Sequence, residues 1–146
     1  MTKKEFHVLL VEDNKHDVRF VKRAWTQNNI TNPLKVVPNG QACLDYLLHQ
    51  GNYTDKQANP LPGLILLDIR MPVMDGIECL RRLKEIPQLR RIPVVMLTTS
   101  KEEEDLIRGY ELGCNSFIQK PVDFERLSDA VRIINLYWTL SELPPI

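Results

Sequence analysis

Leu64-Ile65-Leu66-Leu67-Asp68 is the stretch on which the fold turns. Four consecutive apolar residues without alternation describe a strand covered on both faces, the usual state of a central parallel strand. The run ends on a carboxylate that a core cannot use. Upstream, residues Gly51 to Gly63 carry Asn52, Asp55, Asn59, Pro60 and Pro62 and read as a long loop. Downstream, a helix is expected from about Asp75 to Ile86, ended by Pro87.

Working outward, strands and helices alternate. His7 to Val11 is a short apolar run followed by Glu12-Asp13, and Asn14 can cap a helix from about Lys15. In that helix Val18, Val21, Ala24 and Trp25 recur at helical spacing, and Asn28-Asn29 closes it. Leu34 to Val37 is a second strand, and Asn39-Gly40 opens a second helix carrying Ala42, Cys43, Tyr46 and Leu47. Ile92 to Leu97 reads as a fourth strand, and Lys101 to Leu112 as a fourth helix with Gly113 as its C-cap. Ser116 to Gln119 is a fifth strand, and a last helix starts near Asp123. Five βα units predict an α/β fold, a doubly wound parallel sheet with helices on both faces.

At 146 residues the chain suits one domain, with a core of about 6–136 and a C-terminal helix extension and tail of about 137–146. Formal net charge is zero, which argues against a field that holds nucleic acid or an anionic membrane. No apolar run reaches a membrane span, and no signal-peptide pattern follows Met1, so a cytoplasmic setting is expected. Cys43, Cys79 and Cys114 are widely spaced among apolar residues and form no metal-ligand pattern. They read as buried, reduced thiols.

In open parallel sheets, function lies at the carboxyl ends of the strands. Asp13 follows the first strand, Asp68 the third and Thr98 the fourth, and Lys120-Pro121 follows the fifth. Each taken alone is an ordinary cap or turn residue. Together they are more informative. Carboxylates of Glu12, Asp13 and Asp68 on one rim would repel by about 4 kcal/mol per pair at 4 Å and an effective dielectric near 20. A divalent cation relieves that repulsion, and an all-oxygen donor set with open positions favours Mg²⁺. Lys120 supplies a point charge suited to phosphate, and Thr98 a hydroxyl donor.

These stretches resemble the receiver domains of bacterial two-component response regulators. The resemblance is carried by Val8 to Asp13, Leu66 to Gly76, Val94 to Thr99 and Phe117 to Pro121, and spans His7 to about Leu136. It implies the flavodoxin-like strand order 2-1-3-4-5, with Asp68 as phosphoacceptor from a sensor histidine kinase. It further implies that Asp13, Asp68 and the backbone carbonyl of Arg70 hold Mg²⁺, with Glu12 acting largely through water. Thr98 and Lys120 would hold the phosphoryl oxygens. Phe117 matches the switch aromatic that moves in concert with Thr98, and Pro121 the family's cis proline. Such a receiver catalyses its own modification and is no turnover enzyme. Arg70 and Ser100 occupy positions associated with tuning dephosphorylation.

A haloacid-dehalogenase-type enzyme also uses a strand-end Asp and magnesium, but it needs a second acid where Arg70 stands. A flavodoxin-like flavin binder needs a Ser/Thr/Gly-rich phosphate loop where Glu12-Asp13-Asn14 stands. After Pro121 one helix and a tail remain, which leaves no room for a DNA-binding module. Output is therefore expected through protein–protein contact. The long loop before Asp68 and the tail Leu136-Tyr137-Trp138-Thr139-Leu140 resemble the small response regulators of cyanobacterial and other bacterial phytochromes. On the last helix Phe124, Leu127, Val131, Ile134 and Trp138 form a stripe for the sheet. A second stripe of Ala130, Ile133, Tyr137 and Leu140 lies about 100° round the helix. From Ile133 on the helix is apolar on nearly every side, which predicts a homodimer interface through Ile133, Tyr137, Trp138 and Leu140.

Overall fold

Strand register explains why the strands are apolar throughout. In this computed structural model, which describes residues 6–98, 108–114, 116–119, 125, 128, 129 and 132, five parallel strands form one sheet. They are β1 (Val8–Val11), β2 (Leu34–Val37), β3 (Leu64–Asp68), β4 (Val94–Thr98) and β5 (Ser116–Gln119), in spatial order β2-β1-β3-β4-β5. This is the flavodoxin-like order that the resemblance implied.

Successive residues of one strand enter opposite cores. Leu9, Val11, Ile65, Leu67, Val94 and Met96 face one layer with Cys43, Leu80 and Leu83. Val8, Leu10, Leu64, Leu66, Val95 and Leu97 face the other with Val21 and Trp25. Both faces are dry, so no polar alternation survives in β1 or β3. The side chains of Val8 to Val11 and Leu64 to Leu67 are fully buried.

The helices start and stop where local chemistry dictates. Helix α1 (Lys15–Gln27) is capped by Asn14, whose side chain accepts from the N–H groups of His16 and Asp17 at 2.9 and 3.1 Å. It ends in a Schellman motif in which Ile30 N–H donates to the Trp25 carbonyl and Asn29 takes φ 55°. Helix α2 (Gly40–Leu47) is capped by Asn39, and helix α3 (Gly76–Glu85) by Asp75. Residues 108–111 are helical and close on Gly113 at φ 92°, with Cys114 N–H donating to the Gly109 carbonyl at 3.0 Å. That is the C-cap expected at Gly113. The start of that helix lies outside the described residues, as does most of the last helix, of which Glu125, Ser128, Asp129 and Arg132 are helical.

Several boundaries differ from the sequence reading: β1 starts at Val8 rather than His7, and β4 ends at Thr98 rather than Leu97. Strand β4 starts at Val94 rather than Ile92, because Pro93 has no N–H for the ladder, although its carbonyl accepts from Ile65 N–H at 3.0 Å. Helix α3 is shorter by one residue at each end, Asp75 and Ile86 being its caps. The long loop before β3 contains a 3₁₀ turn at Gly51–Tyr53 and is pinned from beneath. Tyr46 Oη donates to the Pro60 carbonyl, and His49 Nε2 donates to the Asn59 carbonyl, both at 2.8 Å.

The three cysteines are free and buried, as expected. A hydrogen bond with Cys79, and then burial, holds the Cys43 thiol well above its ordinary range, so it stays protonated. Among the described residues no helix is long and apolar enough to cross a membrane.

Candidate functional site

The strand order reverses direction between β1 and β3, so a crevice opens at the carboxyl ends of these two neighbours. Val11 is in register with Leu67, which makes Glu12 and Asp68 the next residues on adjacent strands. Glu12 N–H still donates to the Val37 carbonyl at 3.0 Å, so the ladder holds its backbone in line. Asp13 then turns into the capped start of α1. One carboxylate oxygen from each of Glu12, Asp13 and Asp68 lies within 4.8 Å of the other two. Glu12 and Asp68 are only 3% and 5% exposed, whereas Asp13 is exposed.

Two buried carboxylates and a third at the surface are electrostatically costly. At 4.8 Å and an effective dielectric of 20, each charged pair repels by about 3.5 kcal/mol. Burial adds to that cost because water is withdrawn. The cluster contains no imidazole or thiolate, which fits a hard divalent cation and not a zinc centre. Among the described residues this is the one such grouping of three potential ligands.

Asp68 is held on both sides. It pairs in register with Leu97, so Thr98 ends β4 one residue beyond it. Thr98 is in register with Gln119, and Lys120 and Pro121 lie outside the described residues. On the other side α3 begins almost in contact with the Asp68 backbone. Gly76 N–H donates to the Ile69 carbonyl at 2.8 Å, and a Cβ at Gly76 would lie 2.1 Å from the Asp68 carbonyl oxygen. Asp75 fixes the start of α3 by accepting from Glu78 N–H at 2.8 Å. Arg70 lies exposed at the start of the loop between Asp68 and α3.

One feature of this loop was not legible in the sequence. Val73 is 81% exposed and takes φ 70°, at the centre of a γ-turn in which Met74 N–H donates to the Pro72 carbonyl at 2.8 Å. A β-branched residue is among the least suited to that region, so no residue pattern signals it.

Phe117 lies on β5 opposite Met96 and is 9% exposed. Its ring packs edge-on against Tyr110, with centroids 4.9 Å apart. The structure thus brings together Glu12, Asp13 and Asp68 and puts Thr98 and Phe117 on the neighbouring strands. Ser100 and the expected interface residues Ile133, Tyr137, Trp138 and Leu140 lie outside the described residues.

With this geometry in place, comparison with known proteins gives a consistent result. Residues 8–132 match the response regulator receiver domain. The chain is 40% identical to the response regulator Rcp1 of Synechocystis sp. over 90% of its own length and 87% of that protein's. The Mn²⁺-bound crystal structure of Rcp1 superposes with a TM-score of 0.75, covering 97% of this chain and 99% of that one. The bacteriophytochrome response regulator AtBRR superposes with a TM-score of 0.79 at 40% identity, over 90% of this chain and 94% of its own. A probable methanogenesis regulatory protein, FilR2 of Methanothrix harundinacea, is 42% identical over 91% of this chain and 83% of its own.

Proposed function

This chain belongs to the response regulator receiver family, and from that premise we propose that Asp68 accepts a phosphoryl group from the phosphohistidine of a sensor kinase. The observation that carries the proposal is the convergence of Glu12, Asp13 and Asp68 within 4.8 Å at the carboxyl ends of β1 and β3. An Asp68 carboxylate oxygen attacks phosphorus in line, and the phosphorus–nitrogen bond of the donor breaks with its electron pair returning to the imidazole. The product is an acyl phosphate on Asp68. Such loose transfers depend on positioning and charge neutralisation more than on covalent chemistry.

Asp13 and Asp68 would hold a divalent cation together with the Arg70 backbone carbonyl, Glu12 contributing through water. Mg²⁺ is the proposed ion, because a few anionic oxygens with open positions suit its preference for retained water and phosphate oxygens. When bound, it neutralises charge developing on the phosphoryl oxygens. Asp13 is exposed, which leaves that side of the cluster accessible to a donor. Thr98 and Lys120 would bind the phosphoryl oxygens of the product, and Phe117 would report their arrival by moving with Thr98.

The domain boundaries belong to the same reading, with one receiver core of about 6–136 and a helical extension beyond it. The partner kinase is proposed to be a phytochrome, on the likeness to the bacteriophytochrome response regulator AtBRR. The response would pass by protein–protein contact in a cytoplasmic setting, with the last helix joining two copies through Ile133, Tyr137, Trp138 and Leu140. Labelling by acetyl phosphate tests the core of the proposal. The native chain should take up an acid-labile, hydroxylamine-sensitive phosphoryl group that depends on Mg²⁺, and Asp68→Asn should take up none. Undiminished label of that kind on Asp68→Asn would refute it.

A further inference from the structure

Gly109 and Phe117 meet at a contact that only glycine permits. A Cβ at Gly109 would lie 2.5 Å from Cζ and 3.3 Å from Cε2 of the Phe117 ring, with Cys114 Sγ at 3.4 Å. The first distance is far inside van der Waals contact. Gly109 lies within the helical residues 108–111, where glycine is the least favoured residue after proline. Its φ is not positive, unlike that of Gly113 four residues on, so the backbone conformation there does not call for it. What Gly109 supplies is room for a ring.

The same ring has a second neighbour. Tyr110 packs edge-on against it, with the ring planes at 70° and centroids 4.9 Å apart. Tyr110 is 58% exposed, whereas Phe117 is 9% exposed. Residues 109 and 110 thus both hold this ring, the first by having no side chain and the second by an edge-on aromatic contact. Phe117 stands in register with Met96, two residues before the rim where Thr98 ends β4.

We propose that Gly109 is a positioning residue whose bare backbone seats the Phe117 ring in its observed place and, through that ring, sets the position of Tyr110 at the surface. Its connection to Asp68 rests on the reading of Phe117 as the switch aromatic. A methyl group at position 109 removes the seat. The ring must then leave, and in the switch reading its other place is the space beside Thr98, which is the phosphorylated arrangement.

The test uses the full chain with Gly109→Ala, Phe117→Leu and the double variant. Two readouts are needed. Nuclear Overhauser contacts between the Phe117 ring and residue 109, with the Tyr110 ring resonances, report the seat. The rate of labelling by acetyl phosphate in Mg²⁺ reports the connection to Asp68. In Gly109→Ala the ring contact should disappear, the Tyr110 resonances should shift, and labelling should be at least threefold faster. In the Phe117→Leu background the same methyl group should change labelling by less than 1.5-fold, because leucine does not reach the position of Cζ. If Gly109→Ala does not fold, the double variant must fold, since the collision is with the ring. Retention of the ring contact in Gly109→Ala, equal acceleration of labelling in both backgrounds, or an unfolded double variant would overturn the proposal. A displaced ring with labelling no faster than in the native chain would support the seat and remove Phe117 from the switch.

Discussion

Gly76→Ala is the most informative single perturbation of the surroundings of Asp68. The added Cβ would lie 2.1 Å from the Asp68 carbonyl oxygen, 2.9 Å from its carbonyl carbon and 3.0 Å from Ile69 Cα. The shortest contact falls 0.9 Å below the 3.0 Å limit that real Cβ atoms respect. All three neighbours are backbone, so no side chain can rotate away. Either the start of α3 or the end of β3 must move by about 1 Å. Overpacking of this kind costs typically 1–3 kcal/mol, and the upper end applies where backbone has to yield. The 2.8 Å bond from Gly76 N–H to the Ile69 carbonyl would be stretched, adding about 1 kcal/mol. The higher helix propensity of alanine offsets roughly 0.5–1 kcal/mol. The net expectation is a loss of about 3 kcal/mol, which lowers Tm by roughly 10 °C for a domain of this size. A 1 Å displacement of a reacting group can slow transfer by about 100-fold, so labelling of Asp68 should fall by that order. Differential scanning calorimetry and acetyl phosphate kinetics would measure the two effects on one preparation. Gly51→Ala is the control: its φ is 58° and its Cβ would meet only Asp45 at 3.6 Å, so it should lose about 1 kcal/mol and leave labelling unchanged. A Gly76→Ala chain within 2 °C and twofold of the native one would refute the reasoning.

Asp13→Asn removes one anionic oxygen from the cluster and should raise the Mg²⁺ concentration for half-maximal labelling by tenfold or more; an unchanged Mg²⁺ dependence would place the cation elsewhere. Val73→Asn relieves a β-branched residue at φ 70° and should stabilise the chain by about 1 kcal/mol, seen as a higher urea midpoint at unchanged slope; a lower midpoint would count against strain at Val73. Tyr137→Glu combined with Leu140→Glu should turn a dimer into a monomer by sedimentation velocity while Asp68 remains phosphorylatable. A native chain that already sediments as a monomer, with or without phosphorylation, would end the dimer reading.

Much of the fold was legible because its signals are local. Asn14, Asn39 and Asp75 cap the helices that follow them, and each bond spans only two or three residues. Gly113 closes its helix at positive φ as a C-cap glycine does. The unbroken apolar runs of β1 and β3 reported burial on both faces, and the residues that ended them marked one rim. From those strand ends alone, Glu12, Asp13 and Asp68 could be assigned to one place, because parallel strands in register carry their termini to a common edge. The β4 boundary was misjudged for an equally local reason: Ile92-Pro93 is apolar, but proline has no N–H for the ladder.

What the tertiary structure decided are distances between residues far apart in sequence. The pattern could bring Glu12 and Asp68 to one rim, but not leave them 3% and 5% exposed while Asp13 faces water. Gly76 marks a turn in any reading, yet its need to be glycine comes from a carbonyl eight residues earlier on another element. Cys43 and Cys79 are two apolar thiols in the sequence and buried neighbours of α2 and α3 in the fold, where Cys79 Sγ donates to the Gly40 carbonyl at 3.7 Å. Val73 is held at φ 70° against its own preference, because the chain must turn from β3 into α3 within a few residues. Phe117 fits over Gly109 and under Tyr110 only once β5 has packed on the helix before it. Periodicity and caps follow from the nearest few residues, whereas burial and close contact depend on how whole elements pack, and a single sequence carries the first kind of information directly and the second only through the fold.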